Sequence, residues 1–184
     1  MNRLQNESYR ISSLTFINEV STHLDINQIN FSDSLSSIYD EIAIFLRKSH
    51  RPLLIQALQC LLALLKRYNT IYEPVKLLDD LRHLLDELDI HLFTLTLSAV
   101  TEIVRISTSQ QLVIDYIKSI YVPKIIVSIE THPHLLNLDR LNDFWTAFTS
   151  NGGLEMFKFC LAELDKTSIG EKYSKMVQFW DIII

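Results

Sequence analysis

The sequence predicts an all-α protein, an α-α superhelix of HEAT or armadillo type with about four to five helix pairs stacked side by side. Three observations carry this. The 184 residues hold three glycines and four prolines, far fewer turn formers than a hairpin-rich β fold requires. Apolar residues recur at helical spacing in nearly every segment, and no stretch alternates as a strand would. Helices expected to begin near residues 33, 73 and 110 are spaced by 40 and 37 positions, a period typical of stacked helix pairs. A compact bundle is the alternative, but it would not require that period.

The first helix is expected over about 8–24, with Ile11, Leu14, Ile17 or Phe16, and Val20 or Leu24 inward. Ser32 and Asp33 offer caps for a second helix over 33–47, which should bury Leu35, Ile38, Tyr39, Ile42 and Phe45. The most informative stretch follows, from Leu46 to Asn69. Leu54, Leu58, Leu61 and Leu65 form one apolar row, and Leu53, Ala57, Cys60 and Leu64 form a second beside it. Together they cover more of the circumference than a surface helix can use, so neighbours must flank this helix on several sides. Ser49 is its expected cap, and Pro52 falls in its first turn, where a missing N–H costs little.

Thr70 and Glu73 have capping-box spacing ahead of Pro74, opening a helix to about Glu87 that buries Val75, Leu78, Leu81 or Leu84-Leu85, and Leu88. After a break at Asp89-Ile90 comes a helix to Ser107 with a clean row of Phe93, Leu97, Val100 and Val104. A longer helix over 110–130 should kink at Pro123. The turn at His132-Pro133-His134 leads to a helix over 138–149 with Leu141, Phe144, Trp145 and Phe148. Asn151-Gly152-Gly153 should break the chain before helices at 154–164 and 169–184, the last with a capping box at Ser168 and Glu171. The whole chain is then one array with approximate repeats 1–30, 31–70, 71–108, 109–150 and 151–184. Its apolar end, Asp181 followed by three isoleucines, lacks the polar cap of a closed solenoid, so a longer array is expected.

A formal charge of −5 argues against nucleic-acid binding, which favours a basic excess. The start lacks the apolar run of a secretory signal, and the apolar helix from Leu53 to Leu65 is too short to span a membrane. A chain of the cytoplasm or nucleus, with no membrane partner, is expected. Cys60 and Cys160 lie in apolar helical segments, as core thiols do. Asp79, His83, Glu87 and His91 would align as metal ligands on one unbroken helix, but the break at Asp89 separates them. No nucleophile elbow, phosphate loop or paired CxxC occurs. Neither catalysis, a metal nor a cofactor is expected.

What such an array offers is surface. The polar rows of the inner helices are the candidate partner-binding residues: Arg51, Gln56, Gln59, Lys66 and Arg67 on one helix, and Thr94, Ser98, Thr101, Glu102 and Arg105 on the next.

The segment IFLRKSHRPLLIQALQCLLALLKRYN (Ile44 to Asn69), followed by LLDELDIHLFTLTLSAVTEIVRI (Leu84 to Ile106), resembles the middle of the cullin-associated, neddylation-dissociated proteins. The likeness is densest over Phe45 to Arg51. Asp89-Ile90-His91 stands where that family opens its next inner helix, and the same order of helices extends over most of Ser8 to Leu164. These are packing motifs, and beyond Lys166 the likeness stops. The resemblance implies a long HEAT solenoid that wraps an un-neddylated cullin–RING scaffold, limits neddylation and exchanges substrate receptors in SCF-type ubiquitin ligases. This segment would be a monomeric central part that sets curvature between the two working ends. Another HEAT adaptor, such as a nuclear transport receptor or a phosphatase scaffold, is the alternative.

Overall fold

The computed structural model describes residues 10–23, 32–107, 110–132, 134 and 137–165. Among them the chain is all-α: helices alternate with short turns and no strand occurs. The elements are α1 (Arg10–His23), α2 (Leu35–Leu46, entered through a 3₁₀ turn at Ser32–Ser34), α3 (Arg51–Tyr68) and α4 (Pro74–Leu81). They continue with α5 (Ile90–Ile106), α6 (Gln111–Tyr116), α7 (Val122–Thr131) and α8 (Leu138–Asp165).

The helices lie in two rows. α1, α3, α5 and α8 pack on one another in succession as the inner row, and α2, α4 and α6 form the outer row across it. Each inner helix past the first also leans on the outer element before it, α2 on α3, α4 on α5 and α7 on α8. That arrangement explains why α3 is apolar on so many sides. Leu53, Leu54, Ala57, Leu58, Cys60, Leu61, Leu64 and Leu65 are all buried, shared between α1, α2 and α5. One apolar core runs without interruption from Leu14 to Cys160.

Polar bonds between helices repeat the sequence period. Arg47 pairs with Asp80 at 2.6 Å, Lys76 with Asp40 at 3.0 Å, and Lys124 with Asp86 at 2.7 Å. The Tyr116 hydroxyl donates to Asp79 at 2.7 Å, and the buried Tyr121 hydroxyl donates to the Leu78 carbonyl at 2.6 Å. These partners stand 33 to 43 positions apart, so each bond ties one helix pair to the next.

Several boundaries differ from the sequence reading. Ser49 does not cap α3; His50 holds that position without a side-chain bond. The capping box ahead of α4 does not form: Glu73 makes no capping bond, and the Thr70 hydroxyl donates instead to the Tyr68 carbonyl. α4 gives way at Arg82 to a 3₁₀ turn ending at Leu85, which leaves Leu88 62% exposed. Ile11 is also on the solvent side, whereas Leu14, Ile17 and Val20 are buried.

Pro123 acts through a widened turn. Its ring removes one N–H and crowds the carbonyl four residues back, so residues Ile117–Tyr121 adopt a π turn in which the Val122 N–H reaches the Ile117 carbonyl. The helical path continues beyond it as α7. The largest correction concerns Asn151-Gly152-Gly153, where a break was expected: α8 runs through it as one helix of 28 residues. Glycine is a poor helix former but costs only ~1 kcal/mol per residue. Burial of Phe144, Trp145, Phe148, Met156 and Cys160 on either side of the glycines outweighs that cost. The expected capping box at Ser168 and Glu171 and the helix over 169–184 lie outside the described residues.

Candidate partner-binding surface

The exposed side of α3 is set by helical spacing. Arg51, Ile55 and Gln59 recur every four residues, on the side away from the rows of buried leucines. On α5, Ile90, His91, Thr94 and Leu95 occupy the corresponding strip. These residues, with Asn137 just ahead of α8, line an open groove of about 600 Å³ between the inner helices. Its floor is aliphatic, and its rim carries a guanidinium, an imidazole, two carboxamides and a hydroxyl. Among the described residues no carboxylate is part of that lining, and Asp89 stands at one end of it paired with Arg51.

Asp89 shapes one end of this groove. As N-cap of α5, its Oδ1 accepts from the backbone N–H groups of His91, at 2.9 Å, and Leu92, at 3.2 Å. Its other oxygen accepts from Arg51 Nε. The Arg51 bond, helped by the two backbone donors, lowers the Asp89 carboxyl from 3.8 to about 2. The same bond raises the Arg51 pKa. A single carboxylate therefore caps one inner helix and ties it to the start of the previous one.

The candidate residues separate into distinct groups. Arg51, Gln59 and Thr94 come together around the groove. Gln56 and Arg67 are turned toward α1: the Gln56 amide oxygen accepts from the Thr15 hydroxyl at 3.1 Å, and Arg67 Nη1 donates to the Val20 carbonyl at 2.6 Å. They join helices. Thr101 is 2% exposed and its hydroxyl donates to the Leu97 carbonyl at 2.8 Å, so it is a core residue and not part of an open polar row. Ser98 is half-buried and bonds back to the Thr94 carbonyl at 2.9 Å. Glu102 and Arg105 pair at 2.6 Å, and Arg105 also approaches Asp143 at 3.9 Å, linking α5 to α8. Lys66 is exposed near the end of α3.

Sequence reasoning missed Ile55, Leu95, Ile90, His91 and Asn137. The first two carried a usable signal, since an aliphatic residue inside an otherwise polar row marks a surface that a partner can dry. Asn137 carried none, because the approach of α8 to α5 places it.

A smaller cavity of about 30 Å³ lies in the outer row beside Tyr39, Tyr72 and Asp80, with Lys76 bound to both Asp40 and Glu73 beside it. It holds one or two waters at most. Both cysteines are buried, and burial pushes each thiol up to about 12, leaving them inert as nucleophiles near neutral pH. Among the described residues no group of three His, Cys, Asp or Glu side chains could hold a metal ion. No helix among them is long and apolar enough to cross a membrane.

No protein-family model matches the sequence, and comparison with curated proteins finds no match either.

Proposed function

We propose that this chain is a protein-binding scaffold built from stacked helix pairs, and that it engages its partner through the open side of the inner row. The observation that supports this reading is the groove between α3, α5 and the start of α8, whose aliphatic floor and polar rim suit a polypeptide. The finer reading takes the partner to be a cullin–RING scaffold. On it the chain is a central segment of a HEAT-repeat regulator that governs neddylation and substrate-receptor exchange, and it has no catalytic role. This assignment rests on the likeness of Ile44–Asn69 and Leu84–Ile106 to the cullin-associated family.

The test is retention of the chain on immobilised cullin–RING complex, compared between the unmodified and the neddylated form. Retention on the unmodified form, weakened by neddylation, is expected. Equal retention on both forms, or on neither, overturns the cullin assignment. Binding to Phe-Gly repeats or to a small GTPase would point instead to a transport receptor.

A further inference from the structure

We infer that α8 is a helix pair held straight, and that Gly152-Gly153 is a hinge about which residues 154–165 turn back on the first half as an outer helix. The turned form completes the pair that α8 begins, and the straight form leaves it open.

Length is the first argument. The inner helices α1, α3 and α5 have 14, 18 and 17 residues, whereas α8 has 28. Counted from Leu138, the glycines fall at positions 15 and 16, where the other inner helices end. After a short turn α3 gives way to α4 at Pro74, and α5 to α6 at Gln111. A turn and a further outer helix are due where α8 runs on.

The two halves of α8 also keep different company. The first half belongs to the inner row: Leu141, Phe144, Trp145 and Phe148 are buried, and Asp143 approaches Arg105 of α5 at 3.9 Å. The second half reaches the outer path. Lys118 Nζ, in the π turn between α6 and α7, lies 4.6 Å from the centre of the Phe159 ring, and Met156 and Cys160 are buried. Each half is already beside the row it would occupy in a turned pair.

The backbone gives the third argument. α3 ends on Asn69 in the left-handed conformation, at φ 47°. Glycine takes that conformation without steric cost and is the commonest residue at such a helix end. Inside a helix, by contrast, each glycine is disfavoured relative to alanine by a factor of about five. The same two residues therefore weaken the straight form and ease the turned one, which brings the two arrangements close in free energy.

The test places spin labels on the whole chain through Asp139→Cys and Ala162→Cys, both at exposed positions of α8, and measures their separation by double electron–electron resonance. The native chain is labelled, so the buried Cys60 and Cys160 stay unmodified. A straight α8 holds the two backbone positions about 35 Å apart. A turned pair brings them within about 20 Å, because packed helices lie 8–10 Å from axis to axis. Both populations are expected. Gly152→Ala and Gly153→Ala should each shift the ratio towards the longer distance by about fivefold. A single long distance that the alanines leave unchanged overturns the inference, and so does a short distance alone, which would mean a fixed turn. A short distance that vanishes on dilution with unlabelled chain comes from self-association and also overturns it. Far-UV circular dichroism shows whether each variant has folded, and hydrogen exchange of the unsubstituted chain needs no variant. There the amides of 152–156, which lose their helical acceptors in the turn, should exchange about tenfold faster than those of 142–148. Equally slow exchange across both stretches overturns the hinge.

Discussion

Asp89 serves two neighbours with one side chain: it caps α5 and holds Arg51 at the start of α3. Its ionised form is the one that bonds, so the folded chain keeps the carboxyl at about 2 where it would otherwise titrate near 3.8. The stabilisation is therefore complete above pH ~4 and is lost as pH falls through about 2. Asp89→Asn keeps an N-cap acceptor and removes the charge. Its urea midpoint should fall below wild type near neutral pH, and the two should converge as the pH approaches 2. Asp89→Ala should cost a further ~1 kcal/mol through loss of the cap. The thiols behave in the opposite direction. Burial raises Cys60 and Cys160 to about 12, so their burial favours folding below pH 9.0 and that benefit fades as pH rises towards about 12. Near neutral pH neither thiol should react with Ellman's reagent in the native chain, and both should react in urea. A fast native reaction at either would contradict its place in the core.

Among the elements, α8 and the α6–α7 path show how helices tolerate residues that usually end them. In α8 the glycines sit inside a helix, where each has more backbone freedom to lose than alanine. Gly152→Ala and Gly153→Ala should each raise stability by ~0.5–1 kcal/mol in thermal unfolding, and a fall in helicity would show that the helix breaks there. Pro123 is accommodated by a π turn that reroutes the Val122 N–H to Ile117. α4 shows the reverse behaviour. Its apolar pattern continues, yet the helix tightens at Arg82, and Leu88 is left in water. Helix type and buried face could be read from periodicity, as with Phe93, Leu97, Val100 and Val104, all of which are buried. Caps were less legible. Ser49, Thr70 and Glu73 have the right chemistry, but His50 takes the N-cap of α3, the Thr70 hydroxyl bonds to the Tyr68 carbonyl and Glu73 pairs with Lys76.

At the scale of the whole molecule, the inner helices share their core with their neighbours in the row, α1 with α3, α3 with α5 and α5 with α8. α3 and α5 are flanked on both sides, whereas α1 has a described inner neighbour on one side only. Hydrogen exchange should accordingly be slowest in α3 and α5 and faster in α1. Leu61→Ala, at a site with no exposure, should cost ~2–5 kcal/mol in denaturant unfolding, because α1, α2 and α5 close around that helix and cannot all shift to fill the gap. The same geometry sorts the candidate surface. Residues pointing along the row are taken up by a neighbouring inner helix, Gln56 and Arg67 by the one before and Arg105 by the one after, and those pointing out of it line the groove.

The sequence by itself determined that the chain is helical, where most helices lie, which rows of side chains are buried, and that helix pairs recur about every forty residues. Those properties depend on periodicity, and periodicity is local. The tertiary structure alone decided that Thr101 is core, that Gln56 and Arg67 bind α1, and that Ile55, Leu95 and Asn137 meet Arg51 around one groove. Helical spacing fixes the side from which a residue projects. Whether that side meets water or another helix depends on the approach of elements about forty residues away.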